Sequence, residues 1–163
     1  MMRFLFVKSN KPMSKLIMWV LNEPVSHFAI YFPSHKSVFH SSTSGVRAIL
    51  DKDFFQQYEI VFELTCDNGL SVDGIFSKIS KCYMGKAYDY GAFLFFLPII
   101  LAKKMFKYSY KRNLWSKRNK YLCTELVEVI KLNLSLDIEW PERLDTITPY
   151  QLYLIMSQSK KLQ

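Results

Sequence analysis

The apolar positions of this chain switch between the period of a strand and that of a helix. Arg3 to Val7 forms a short extended run. After the turn at Asn10-Lys11-Pro12, Leu16, Ile17, Val20 and Leu21 take helical spacing, with Ser14 as the expected cap. Asn22-Glu23-Pro24 ends that helix. Two extended runs follow, Ser26 to Phe32 and Ser37 to Ser42, separated by the hairpin signal Pro33-Ser34-His35-Lys36. Tyr58 to Cys66 alternates, which places Tyr58, Ile60, Phe62 and Leu64 on one side and Glu59, Val61, Glu63 and Thr65 on the other. Asn68-Gly69 turns the chain. A helix is predicted from about Ser71, with Val72, Ile75, Phe76, Ile79 and Tyr83 on one face and Gly85 as its stop.

Beyond that point the pattern changes character. Ala92 to Lys107 is apolar and then basic, and Pro98 should break or kink any helix there. Tyr108 to Lys120 reads as an exposed basic loop. Tyr121 to about Leu132 reads as a helix with Leu122, Leu126, Val127 and Ile130 apolar. Thr148-Pro149, a cap followed by a first-turn proline, opens a helix bearing Leu152, Ile155 and Met156. Neither repeats nor a linker interrupt the chain, so the expectation is one α+β domain over residues 1–163.

Composition supports a packed core: half of the 163 residues are hydrophobic. Thirteen Phe and ten Tyr beside five Gly and six Pro exclude a disordered or collagen-like chain. A net charge of +8 and a pI near 9.3 favour anionic partners such as phospholipid headgroups, anionic cell wall or nucleic acid. Zinc-finger spacing, a helix-turn-helix signature and an aromatic RNA-binding motif are all missing, so the nucleic-acid reading rests on charge alone. Lys8 and Lys11 cut short the apolar run that a secretion signal would need. The longest apolar run, Ala92 to Ala102, falls well short of the ~20 residues of a membrane span. The expectation is a soluble chain, with the cytoplasm as default compartment.

Three cysteines, Cys66, Cys82 and Cys123, are an odd set without paired spacing, which argues against a disulfide framework and leaves thiol chemistry to consider. A thiol hydrolase needs a cysteine poised as thiolate, an imidazole that accepts and returns a proton, and a polar group that orients the imidazole. Cys123 falls at the start of a predicted helix, where backbone N–H groups and the macrodipole lower a thiol pKa and offer an oxyanion site. Glu125 and Glu128 act against this. The hairpin supplies the imidazoles. A four-residue loop pairs Phe32 with Ser37, Ala29 with His40 and His27 with Ser42. His27, Ala29, Tyr31, Val38 and His40 then share one face, with the two histidines diagonal neighbours. A slip of one residue would send His40 to the other face. Each choice has a plainer rival: Cys123 as a small buried hydrophobe, His27 as a satisfied core histidine, Cys66 and Cys82 as structural residues.

A family resemblance covers nearly the whole chain. The segment Met13-Ser14-Lys15-Leu16-Ile17 through Ser26-His27-Phe28-Ala29-Ile30-Tyr31 resembles the opening of circularly permuted NlpC-type enzymes of the YiiX/YaeF-like branch. Phe39-His40 is similar to their second strand, and Gly85-Lys86-Ala87-Tyr88-Asp89-Tyr90-Gly91 to the glycine-tyrosine segment before the nucleophile. Tyr121-Leu122-Cys123-Thr124-Glu125-Leu126-Val127 is similar to their Cys-Ser-Glu-Leu-Val helix, with Thr124 in place of serine, and Ile147-Thr148-Pro149-Tyr150-Gln151-Leu152 to their closing Thr-Pro segment. The resemblance implies a papain-like fold in which an antiparallel sheet packs against the nucleophile helix and the histidine strand precedes the cysteine. It implies Cys123 as nucleophile, His27 as base then acid, and His40 as the group that orients His27. Tyr88 and Leu122 would stand beside the oxyanion and substrate.

The family features implied neither a cofactor nor a metal. Two departures bear on substrate. Many relatives in this branch carry Glu where this chain has His40, which is similar instead to the lecithin:retinol acyltransferase-like branch. The basic segment from Met105 to Lys120 matches no family motif. The leading expectation is therefore an amidase or peptidase working through a thioester on an amide such as a cell-wall peptide. The alternative is a lipid-directed thioesterase, deacylase or acyltransferase, with Ala92 to Ile100 receiving an acyl chain and Lys103, Lys104, Lys107, Lys111 and Arg112 on an anionic surface. The rival for that segment is a core helix with a charged end. A non-catalytic binding module of the same fold is the third reading.

Overall fold

The computed structural model describes residues 1–42, 44–66, 72–88, 120–121, 123–133, 136–140, 144 and 147–163. Five strands form one antiparallel sheet: β1 (Met2–Lys8), β2 (His27–Phe32), β3 (Ser37–Ser42), β4 (Gly45–Leu50) and β5 (Glu59–Cys66), in the spatial order β4-β3-β2-β1-β5. Helix α1 (Pro12–Leu21) links β1 to β2, and the short α2 (Asp51–Phe55) links β4 to β5. After β5 come α3 (Val72–Tyr83), the two-residue strands β6 (Ala87–Tyr88) and β7 (Lys120–Tyr121), a 3-10 turn at Thr124–Leu126, α4 (Val127–Asn133) and α5 (Pro149–Met156). The α+β class is as expected from the mixed periods.

The hairpin follows the loop-length argument. A 3-10 turn at Pro33–His35 with Lys36 in the left-handed region (φ 47°) joins β2 to β3, pairing Phe32 with Ser37 and Ala29 with His40. The ladder runs only from Ala29 to Phe32, so His27 has no Ser42 partner in it; His27 pairs with Val7 of β1 instead. Helix α1 ends at Asn22, whose left-handed conformation (φ 54°) lets its N–H reach the last carbonyls. Ser14 is not its cap. It lies inside the helix, buried, where its Oγ accepts from Ser9 N–H at 3.0 Å and bonds Ser26 Oγ at 2.6 Å.

The two faces of the sheet are covered unequally. Phe4, Phe6, Phe28, Ile30, Phe32, Phe39 and Leu64 project into the larger core, where Ile75 and Ile79 of α3, Leu126, Val127 and Ile130 near α4, and Leu152 and Met156 of α5 meet them. The other face holds a smaller cluster of Leu5, Val7, Ala29, Val38 and Phe54, with Tyr31, Ile49 and Tyr58 at its margin. The alternation read along β5 fails at one point. Phe6 pairs with Phe62 and Val7 with Ile60, so Val61 is an extra residue, a β-bulge that turns Ile60 away from the face of Phe62. Tyr58 accordingly joins the smaller cluster while Phe62 packs against the larger core.

Both edges of the sheet are occupied. Thr65 and Gln163 exchange backbone hydrogen bonds and Leu162 bridges Cys66, which covers β5. At β4, Val46 N–H donates to Lys86 O at 2.9 Å and Gly85 N–H to Val46 O at 3.0 Å. Gly45 (φ 93°) permits this approach, since a Cβ there would collide with the Lys86 carbonyl. Strand β6 is thereby held beside β4, and β7 pairs with it in parallel, Ala87 with Lys120 and Tyr88 with Tyr121.

Candidate active site

The site starts with a short stretch of chain held at both ends. Ser26 N–H donates to Val7 O at 3.0 Å, and its hydroxyl bonds Ser14 of α1. Glu23, just upstream, accepts from Thr148 Oγ1 at 2.9 Å, while the same oxygen accepts from Gln151 N–H and completes a capping box on α5. His27, the next residue after Ser26, thus enters β2 from a fixed position. Its Nε2 lies 3.3 Å from Nδ1 of His40, the diagonal contact expected from the hairpin register.

Aromatic rings complete the setting. Tyr58 stacks on His27 with ring centroids 5.5 Å apart, and on Phe54 at 4.5 Å; Phe54 meets His40 edge-on at 5.5 Å. Lys11 holds its ammonium 5.3 Å from the Tyr58 ring and donates to Gln57 Oε1 at 3.0 Å. Burial is the main reason that both imidazoles are held neutral, His27 down to about 3 and His40 down to about 4. The second cause differs: His40 acts on His27, and Lys11 acts on His40, with Lys11 and Arg47 adding smaller contributions respectively. The two rings are therefore proton acceptors, not standing cations, at neutral pH.

Cys123 is a half-buried thiol packed against the larger core. It does not sit inside an α-helix as the sequence suggested. Tyr121 is drawn into the parallel pairing with Tyr88, and the chain after Cys123 winds first as the 3-10 turn, with Leu126 N–H donating to Cys123 O at 3.3 Å. Buried Thr124 fixes that turn by donating from Oγ1 to Leu144 O at 3.0 Å. The α-helix begins only at Val127.

Sulfur and imidazoles therefore come from opposite sides of the sheet. The 3-10 turn after Cys123 packs on β2, whose first residue is His27. Burial raises the Tyr58 phenol pKa first and Cys123, as thiolate, raises it further, while the same ring stacks on His27. Tyr58 and Lys11 were not singled out from sequence. Tyr58 read as one more strand residue because the bulge at Val61 is invisible in the alternation. For Lys11, nothing short of the fold signals a place beside the histidines.

No family model matches the chain, and no curated protein matches it by sequence. The crystal structure of the metalloprotein yiiX from Escherichia coli O157:H7 (DUF1105) is similar over 99% of this chain and 93% of that one, with a TM-score of 0.58 and 15% identity. The fold is YiiX-like. At that identity the likeness concerns layers and strand order, and the chemistry has to be argued from this chain's own residues.

Other residues named from sequence fare differently. Tyr88 has a described backbone, paired with Tyr121, but its side chain lies outside the described residues. Leu122, Lys103, Lys104, Lys107, Lys111, Arg112 and the Ala92–Ile100 segment lie outside them altogether. Cys66 is buried at the end of β5, whereas Cys82 on α3 is exposed and fills no core position. Among the described residues, no helix is long and apolar enough to cross a membrane.

Proposed function

We propose that this chain is a cysteine-dependent acyl hydrolase of papain-like type in the circularly permuted NlpC order, acting on an amide bond. Cys123 is the nucleophile, His27 the base and acid, and His40 the orienting residue. The observation that carries this reading is the 3.3 Å contact between His27 Nε2 and His40 Nδ1. With His27 donating its Nε2–H to the His40 Nδ1 lone pair, the tautomer is set and His27 Nδ1 keeps the lone pair a thiol proton needs.

The steps follow from that tautomer. His27 Nδ1 takes the Cys123 proton as sulfur attacks the substrate carbonyl carbon, and the imidazolium strengthens its bond to His40. The tetrahedral oxyanion collapses as His27 returns the proton to the leaving amine, which departs and leaves a thioester on Cys123. Water then attacks the thioester carbonyl, giving up a proton to His27. Collapse releases the acid, and the proton returns to sulfur. Burial keeps His27 neutral and so able to accept that proton.

The neighbouring structure is described as a metalloprotein. Among the described residues of this chain, no group of three or more His, Cys, Asp or Glu is placed to hold an ion. His27 and His40 spend the facing nitrogens on each other. The donor set does not fit a metal centre, and no step runs through one.

The reading is tested with a chromogenic acyl ester and intact-protein mass spectrometry. An acyl adduct should accumulate on Cys123 during turnover, and Cys123→Ala should lose both adduct and hydrolysis. Hydrolysis by Cys123→Ala at the wild-type rate would remove the enzyme reading from this site.

A further inference from the structure

Helix α1 turns three of its apolar side chains outward. Met13, Leu16 and Trp19, three residues apart, are 50%, 44% and 80% exposed, while Leu21 is buried and Ser14 is tied to Ser26 on the inner side. Single exposed hydrophobic residues need no explanation. Three on one helical face, around a tryptophan that the fold leaves almost bare, mark an interaction surface.

Charge narrows the partner. From Met1 to Asn22 the chain has Arg3, Lys8, Lys11 and Lys15 and no acidic residue. Arg3 pairs with Glu63, Lys8 with Glu59, and Lys11 is turned to Gln57 and Tyr58, so the charge α1 offers outward is that of Lys15. Lys15 is exposed and enters no ion pair among the described residues. A cleft of about 500 Å³ runs alongside, with Lys15 and Met18 on one wall and Phe55 and Tyr58 on the other. Tyr58 is the ring stacked on His27.

We propose that α1 docks this protein on an anionic phospholipid bilayer. Met13, Leu16 and Trp19 enter the boundary between headgroups and acyl chains, where tryptophan is favoured, and Lys15 faces the lipid phosphates. A second copy of the chain is the less suitable occupant, because two chains of net charge +8 repel and α1 carries no acidic residue to meet Lys15. The docking does not depend on Cys123 being a nucleophile, so it can be measured in a chain lacking that thiol.

The experiment is vesicle flotation of the full chain, as wild type and Cys123→Ala, with phosphatidylcholine vesicles and with vesicles containing phosphatidylglycerol. Both proteins should float with the anionic vesicles at low salt and be released as salt rises. Leu16→Ser with Trp19→Ser should lower the bound fraction at least tenfold while thermal unfolding stays as in wild type. Lys15→Glu should weaken binding to the anionic vesicles. Failure of wild type to bind either vesicle overturns the proposal. So does equal binding by the double variant, which would move any membrane contact to the basic residues between Lys103 and Lys120. A concentration-dependent dimer that the double variant loses, without vesicle binding, would assign the face to a second copy.

Discussion

The two faces of one sheet carry different residues for different ends. On the larger face, Phe4, Phe6, Phe28, Ile30, Phe32 and Phe39 meet three helices in a core without a buried titratable group on those strands. On the smaller face the same strands present His27 and His40 among Leu5, Val7, Ala29, Val38, Phe54 and Tyr58. Period-2 alternation lets one strand serve both: in β2, Phe28, Ile30 and Phe32 hold the fold while His27 points the other way. Burying an imidazole costs free energy unless it stays neutral and bonded, and here each histidine is both. The large aromatic core and the buried histidine pair are thus divided between the two faces.

That division can be broken from either side. The largest expected effect is from Phe28→Ala, which leaves a cavity in the larger core and should cost about 3–5 kcal/mol; urea unfolding reads it. Phe54→Ala should cost less and instead loosen Tyr58 and His40, both of which its ring touches. Next is Gly45→Ala. The new Cβ would strike Lys86 O at a positive φ, costing about 2–3 kcal/mol and displacing β6 and β7, the strands that lead to Cys123. Hydrolysis should fall with stability in that variant.

His40→Ala separates the two faces more finely. It should cost about 1–2 kcal/mol, because the Nε2–H of His27 loses its acceptor, yet lower kcat well beyond that loss. His40→Gln, which keeps an acceptor, should recover part of the activity. Mild acid acts on both histidines together. Both histidines titrate well below 6.5 when folded, so the unfolded chain binds more protons below that pH and stability falls with it. The loss should be about 1 kcal/mol per histidine by pH 5.5, roughly 2–3 kcal/mol for the pair, growing toward pH 4. For the same reason, the acid limb of kcat/KM should lie below the ordinary imidazole range; a midpoint at or above 6.5 would contradict the neutral pair.

What the sequence made legible was local. Loop length set the β2–β3 register, Asn22 ended α1, Thr148-Pro149 opened α5, and the helical spacing of Val72, Ile75 and Ile79 gave α3. The features missed depend on distant partners. The parallel pairing of Tyr121 with Tyr88 shortened the predicted helix and moved Cys123 into a turn. Strand β4 and α2 went unread because Val46, Ala48 and Ile49 are divided between the two cores rather than showing a clean alternation. The bulge at Val61, set by pairing with β1, hid Tyr58 from the site.

The central claim is that a sulfur from the helical side is activated by an imidazole from the other. Alkylation by a thiol-directed electrophile tests it, with exposed Cys82 as an internal reference. Mass mapping of the two thiols over time should show Cys123 modified faster than Cys82 despite its lesser exposure, and His27→Ala should abolish that advantage. A Cys123 that reacts no faster than Cys82, or at the same rate with and without His27, would contradict the account.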